Sequence, residues 1–253
     1  MTDSKKRFSS RVEDYEKYRP SYPESLLNKL FEITGSTSKP VVADIGSGTG
    51  IFTELLLEHG VTVTGVEPND DMRNAAEKKL SVNTRFSSQN GSAEKTGLKS
   101  DSVDLITAAQ AFHWFNNDET KAEFARILNH NGWLALIWND RKYGEGCQAV
   151  YEDVLKKYGT DYSQVNHQNL TEEQIASFFA GNKMDTYSFV HTQEFDFEGV
   201  LGRLRSCSYS PDESTQDYKK AVEEIKVAFD QYSVNGKVPF EYDSKLYIGK
   251  IQR

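Results

Sequence analysis

Residues Val41-Val42-Ala43-Asp44-Ile45 form an apolar run of strand character, and it passes without a spacer into Gly46-Ser47-Gly48-Thr49-Gly50. An amphipathic stretch from Phe52 to His59 follows and stops at Gly60, where a residue without Cβ can take the left-handed C′ conformation. Strand, glycine turn and helix in that order constrain the fold more than any other segment. The backbone has to bend sharply at one end of a sheet, and glycines allow that bend while letting a ligand approach beneath the positive end of the helix.

The chain keeps this alternation. Val61 to Val66, roughly Thr84 to Ser87, Val103 to Ala108 and Trp133 to Trp138 read as further strands. Helices are expected after Asn69, a candidate N-cap, through Leu80, and over Asp118 to Leu128. Short β-rich runs separated by amphipathic helices are the pattern of βαβ units around a mostly parallel sheet. Ahead of them, Ser21-Tyr22-Pro23-Glu24 has the form of a capping box opening a helix to Ile33. Behind them, Glu145 to Tyr158, Thr171 to Ala180 and Gln216 to Tyr232 read as helices. Tyr187 to Phe197 reads as a strand, and Val238 to Ile251 as a last strand or hairpin. A single domain over residues 1–253 follows, with an N-terminal arm and helix (1–37), a core (38–140) and a C-terminal helical cap with the last strands (141–253).

Bulk properties exclude several classes. The formal charge of -8 opposes the electrostatic attraction on which nucleic-acid and anionic-lipid binding depend. The Lys5-Lys6-Arg7 run is flanked by Asp3, Glu13 and Asp14 and reads as a solvated terminus. No stretch approaches the roughly 18 apolar residues of a membrane span. Two cysteines, Cys147 and Cys207, make neither a disulfide framework nor a zinc spacing. The expectation is a cytoplasmic protein without a metal, a monomer or homodimer.

The turn suits an adenosine cofactor, and two remain open. A nicotinamide dinucleotide site normally needs GxGxxG, but the third position here is Ile51 and the glycine comes early, at Gly50. Asp44 would repel a pyrophosphate yet suit the ammonium and sulfonium charges of S-adenosylmethionine. About 20 residues on, Gly65-Val66-Glu67-Pro68 ends the second strand with an acid able to accept hydrogen bonds from both ribose hydroxyls. Met72 suits either the adenine face or ordinary core filling.

With those motifs in order from Val41 to Trp138, the sequence resembles the class I S-adenosylmethionine-dependent methyltransferases. The resemblance implies a Rossmann-like fold: a doubly wound, mostly parallel seven-stranded sheet with the N-terminal arm and a C-terminal helical insertion. It makes Asp44 to Gly50 the cofactor loop and Glu67 the ribose acid, and Gly91-Ser92-Ala93-Glu94 the stretch lining the adenine. The family usually has Asp where Ser92 stands, so the contact there falls to the backbone at Ala93. S-adenosylmethionine would be the donor and S-adenosylhomocysteine the product.

Past the fourth strand, Ala109-Gln110-Ala111-Phe112-His113-Trp114-Phe115 is similar to a run in a small-molecule group that includes enzymes like the trans-aconitate methyltransferases. Gln110 and Ala111 would face the donor, and Trp114 the acceptor. His113 is either a buried structural imidazole or a group that takes a proton from, or hydrogen-bonds, the acceptor. The arm residues Phe8, Tyr15, Tyr18, Arg19, Pro20 and Tyr22 also resemble this group, in which the arm closes over the cofactor. Arg19 would pair with the donor carboxylate and Tyr22 would touch the acceptor; an aromatic staple is the other reading of Tyr15 and Tyr18. Arg203 and Arg205 would grip a carboxylate acceptor if they lie on a strand, and separate if they lie on a helix. The expected activity is methyl transfer to a small molecule, a carboxylate or a hydroxyl. An NAD(P)-dependent oxidoreductase and a noncatalytic module binding S-adenosylmethionine are the alternatives.

Overall fold

The computed structural model describes residues 12–35, 40–160, 170–179 and 181–251. The Lys5-Lys6-Arg7 run, Phe8 and the expected helix end at Ala180 lie outside them. Five strands run parallel: β1 (Val41–Ile45), β2 (Thr62–Val66), β3 (Phe86–Gln89), β4 (Val103–Ala109) and β5 (Leu128–Arg141). β6 (Met184–Phe195) and β7 (Val238–Gly249) complete one seven-stranded sheet in the order β3-β2-β1-β4-β5-β7-β6, with β7 antiparallel to both neighbours. The chain winds outward from β1 to β3, then crosses back to β4 and winds the other way. The carboxyl ends of β1 and β4 therefore flank the crevice at which doubly wound sheets hold ligands.

The central strands are apolar throughout because both of their faces are covered. On one face, Val42, Val63, Leu105, Ala135 and Ile137 pack under α2 (Glu24–Thr34) and α3 (Ile51–Glu58). On the other, Ile106, Ala108, Leu134, Leu136 and Trp138 pack under α5 (Asp118–Ile127) and a short helix, Glu172–Phe178. The remaining helices are α1 (Val12–Tyr18), α4 (Asp70–Leu80) and α6 (Gly146–Tyr158), with Glu172–Phe178 as α7, then α8 (Phe197–Arg205) and α9 (Gln216–Tyr232). After Phe195 the chain leaves the sheet, builds α8 and α9 against α6, and returns at Val238 directly opposite Phe195. No helix among the described residues is long and apolar enough to cross a membrane.

Local chemistry decides where several elements begin. Asn69 caps α4 by accepting from the Met72 amide, and Thr171 and Gln174 form a reciprocal capping box on α7. The box expected at Ser21 does not form: Pro23 is the N-cap of α2 without a side-chain bond, and the Ser21 carbonyl accepts from Asn139 Nδ2 at 3.0 Å. β3 starts two residues later than expected, since Asn83 holds a turn through the Arg85 amide and the Phe86 amide. β5 runs on past Trp138 to Arg141 because β7 pairs with it over that length.

Asp44, at the end of β1, joins three elements. Its carboxylate accepts from Thr53 Oγ1 of α3 at 2.6 Å and from Thr107 Oγ1 of β4 at 2.8 Å. Burial pushes its pKa up to about 6 against the opposing pull of the two hydroxyls, with Glu67 adding to the rise. Folding therefore takes up a proton between the free carboxyl value of 3.8 and about 6. The Asp44 contribution is fully present below the lower value and is lost as pH rises through the upper one. Asp44→Asn, whose amide can still exchange hydrogen bonds with both threonines, removes this dependence. In urea titrations the stability of the native protein relative to this variant should fall by about 2 kcal/mol between pH 4 and pH 7.

Candidate functional site

The glycine turn is pinned to the ends of its neighbouring strands. The Gly46 and Ser47 amides both donate to the Val66 carbonyl, at 2.9 and 3.3 Å, and the Gly50 amide closes the turn on the Ser47 carbonyl at 2.9 Å. Gly46, Gly48 and Gly50 have φ of 69°, 57° and 83°, the left-handed region that L side chains resist. At Gly46 there is a second reason for glycine: a Cβ would stand 2.6 Å from Cβ of Ala111. The turn and the segment after β4 thus touch, backbone against side chain.

Glu67 bridges this turn to the next one. One carboxylate oxygen accepts from the Gly48 amide at 3.0 Å and the other from the Asn69 amide at 2.8 Å. Burial raises its pKa, and the two amides and Arg73 oppose that rise. Asn69, through its cap, fixes the first turn of α4, so that the buried Met72 faces the same space. The third strand continues into Ser92, Ala93 and Glu94, where Ser92 and Lys95 exchange backbone hydrogen bonds in a tight antiparallel bridge.

These pieces enclose a cavity of about 170 Å³ over the carboxyl ends of the parallel strands. Gly46, Gly48, Glu67 and Pro68 form one side with Asn69 and Met72; Ser92, Ala93 and Glu94 form another. Gln110, Ala111, Trp114 and Phe115 close it from beyond β4, and Tyr15 reaches over from α1. A smaller lobe continues past Gly46 and Gln110, sharing Tyr15 and Ala109 and bounded by Arg19, Tyr22, Ser47 and Phe52. The Arg19 guanidinium lies on the Tyr15 ring, 4.6 Å from its centroid, and donates to the Ser206 carbonyl at 2.8 Å.

Gln110 sits where the two lobes meet, with φ of 55°, a strained conformation for a residue with a Cβ. Its amide donates to the Ile137 carbonyl, and its side chain donates to the Asn139 carbonyl at 3.0 Å. Asn139 also holds Ser21 and accepts from the Ser244 hydroxyl, tying the arm and β7 to the cavity wall.

Other residues expected at the site lie elsewhere. Asp44 is 1% exposed and spends its carboxylate on Thr53 and Thr107, so it supports the turn from behind and does not meet a ligand charge. Thr49 and Gly50 likewise form the turn without lining either lobe. His113 stands on a 3₁₀ turn, Phe112–Trp114, with its ring 4.9 Å from that of Trp114, and is absent from both linings.

The arginine pair is a correction. Residues 201–205 are helical, so Arg203 and Arg205 diverge. Arg205 is held by Asp14 at 3.0 Å and Glu198 at 2.6 Å, which fastens α1 to α8. Arg203 is buried inside the cap and donates to Tyr242 Oη, Ser206 Oγ and Cys207 Sγ. Neither lines a lobe. Conversely, Asn69, Ala109, Phe115 and Tyr15 form cavity wall although none stood among the expected site residues. Tyr15 was expected only as part of the arm, and Ala109 and Phe115 only as members of the run after β4.

Gly46→Ala should destabilise the protein by roughly 1–3 kcal/mol in urea unfolding, from backbone strain and the overlap with Ala111. Gly35→Ala is the control: its φ is also positive, at 67°, but nothing lies within 4 Å of the added methyl. The difference between the two variants measures how tightly the turn is packed on the end of β4.

Comparison with known proteins agrees with this geometry. Residues 43–136 match the family model described as "Methyltransferase domain". An uncharacterized methyltransferase of Geobacillus thermodenitrificans is 31% identical over 217 residues, covering 79% of this chain and 93% of that one. An uncharacterized methyltransferase-like protein of Schizosaccharomyces pombe is 28% identical over 244 residues, covering 96% and 83%. Among solved structures, the YcgJ protein of Bacillus subtilis shares the fold with a TM-score of 0.59 at 19% identity, over 91% of this chain and 100% of that one. With the turn, the strand order and a relative matched along nearly its whole length, the chain belongs to the class I S-adenosylmethionine-dependent methyltransferase family.

Proposed function

We propose that the protein transfers the methyl group of S-adenosylmethionine to a small-molecule acceptor, a carboxylate or a hydroxyl. The observation that carries this reading is Glu67, a carboxylate on the cavity wall whose two oxygens are each aimed by one backbone amide. Each oxygen keeps a lone pair for a ribose hydroxyl. Met72 and Ala93 offer apolar surface for an adenine, Ser92 and Glu94 polar edges, and Pro68 turns the chain away from the ring. The short approach permitted by Gly46 and Gly48 suits the thioether chain of the donor, and Arg19 with Ser47 in the smaller lobe suits its carboxylate.

The donor, when bound, supplies an activated methyl carbon; attack by the acceptor breaks the carbon–sulfur bond and leaves S-adenosylhomocysteine. The protein's part is alignment and exclusion of water. Gln110 stands where the two lobes meet, Ala111 and Trp114 line the larger and Tyr22 the smaller, so the acceptor would approach along Trp114 or Tyr22, and Tyr15 reaches over both lobes. A carboxylate acceptor needs only positioning. A hydroxyl has to lose a proton, and His113, one residue from the cavity wall, is the group to take it. The formal charge of -8 favours small molecules over nucleic acid as acceptors. Free Cys147 and Cys207, both buried, suit a reducing cytoplasm.

Calorimetric titration with S-adenosylmethionine and S-adenosylhomocysteine, with NAD and NADPH alongside, tests the donor. Glu67→Ala should weaken donor binding by roughly 1–3 kcal/mol; unchanged affinity would remove Glu67 from the site, and binding of nicotinamide nucleotides alone would overturn the reading. A screen of small carboxylates and phenols with methyl-labelled donor then tests transfer. Donor binding with transfer to none of them would favour a sensing module. On a hydroxyl acceptor His113→Gln should lower kcat by about 100-fold while donor affinity holds, and on a carboxylate acceptor kcat should stay nearly unchanged.

A further inference from the structure

β4 ends at Ala109, and the way Gln110 leaves it depends on the end of β5. The Gln110 amide still donates to the Ile137 carbonyl, in register with the parallel ladder. Two residues on, the next carbonyl of β5 on that edge is that of Asn139, and there the Gln110 side chain stands in for a further strand amide, donating at 3.0 Å. A side chain thus adds one rung to the ladder while the backbone turns away at once, with φ of 55°.

Asn139 is 4% exposed, and its own side chain joins two more elements. Nδ2 donates to the Ser21 carbonyl at 3.0 Å, and Oδ1 accepts from the Ser244 hydroxyl on β7. Ser244 Oγ also meets His191 Nδ1 on β6 at 3.2 Å, and that ring stacks on Tyr242 with centroids 5.3 Å apart. The Asn139 amide is therefore oriented from the sheet side: with Oδ1 on Ser244, the N–H groups turn toward Ser21. What they hold is the stretch between α1 and α2. Ser21 lines neither lobe, but Arg19 and Pro20 before it and Tyr22 after it line the smaller one. Because Arg19 also donates to the Ser206 carbonyl, the arm is fastened both to the cap and to the sheet.

We propose that Asn139 is a positioning residue for methyl transfer, fastening the arm to the end of β5 so that Arg19 and Tyr22 close the smaller lobe over the methionine end of the bound donor. The inference rests on the donor reading, which puts that end in the smaller lobe. Asn139 lines neither lobe, so it touches no reacting atom and acts through its neighbours. Its carbonyl sets Gln110 at the junction of the lobes, and its side chain sets the arm. The bond to Ser21 exists only while the arm is seated, so it opposes release of a bound donor and contributes nothing to entry.

Donor exchange tests this without an acceptor. Trp114, in the wall of the larger lobe, reports S-adenosylmethionine by fluorescence, and stopped-flow mixing separates association from dissociation. Asn139→Ala should speed dissociation roughly tenfold and leave association within about twofold of native. Asn139→Asp keeps the size of the side chain and an acceptor for Ser244; as a carboxylate it has no proton for the Ser21 carbonyl, and as a carboxylic acid it has one. Burial favours the protonated form. Relative to the native protein at each pH, this variant should release the donor as fast as the alanine variant at about pH 8.5 and return to within about twofold of native at about pH 5.5, while the alanine variant stays fast at both. A brace that only supports the fold gives no such rescue. Ser244→Ala, which loosens Asn139 without removing its donor, should fall between native and alanine. Native dissociation rates in Asn139→Ala, or an aspartate variant that stays fast at the lower pH, would overturn the proposal alone. A native protein that does not bind S-adenosylmethionine would overturn the donor reading, and the proposal with it.

Discussion

A single buried carboxylate holds the working end of this molecule together. Asp44 accepts one hydroxyl from the helix after the glycine turn and one from the neighbouring strand, so β1, α3 and β4 meet at one point. Those three elements are what the crevice needs: the turn follows Asp44 by two residues, and the segment that closes the cavity follows Thr107 by three. A carboxylate held away from water is expensive, and its raised pKa reflects that cost. Two short hydroxyl bonds offset part of it and fix the distance between the turn and the end of β4. The contact of Gly46 with Ala111, the Glu67 bridge and the strained Gln110 all presuppose that distance.

A second polar knot sits in the cap. Arg141 pairs with Glu152 and donates to Tyr209 Oη at 3.1 Å, while the buried Arg203 rests on Tyr242, Ser206 and Cys207. Burial alone would raise the pKa of the Cys207 thiol, but Arg203, Arg19 and Arg141 override it and hold it below the usual thiol range. Buried charge of this kind adds little net stability, and removing one member would leave the rest uncompensated. Its structural effect is to fix the path of residues 203–209, whose Ser206 carbonyl holds Arg19. Together with the Arg205 and Asp14 pair, this seats α1 over the cavity opening. The cap therefore acts on the crevice through the arm rather than through side chains of its own.

Periodicity and glycine placement made the parallel core legible, because both report local backbone requirements. The turn at Gly46 to Gly50, the acid at Glu67 and the cap at Asn69 are each recognisable within a few residues of chain. The same locality explains the errors. Ser21 has the letters of a capping box, but its carbonyl is claimed by Asn139, 118 residues away. β5 looks finished at Trp138 until β7 arrives to pair with its last residues. The stretch from Leu201 to Arg205 has no decisive period, and only its packing against α1 and α9 makes it a helix that sends Arg203 inward and Arg205 to Asp14.

The sequence by itself determined the sheet's parallel core, the bend at its ligand end and the chemical character of the residues placed there. Backbone sterics at glycine, strand alternation and an acid at the next strand end are short-range constraints, written in neighbouring residues. Only the tertiary structure decided which of those residues face the cavity. Asp44 turned out to be a brace because two threonines, 9 and 63 residues away, converge on it. Likewise Asn139 meets Ser244 only because β7 pairs with β5 in that register. Side-chain direction and partnership depend on contacts between distant segments, and no local pattern records them.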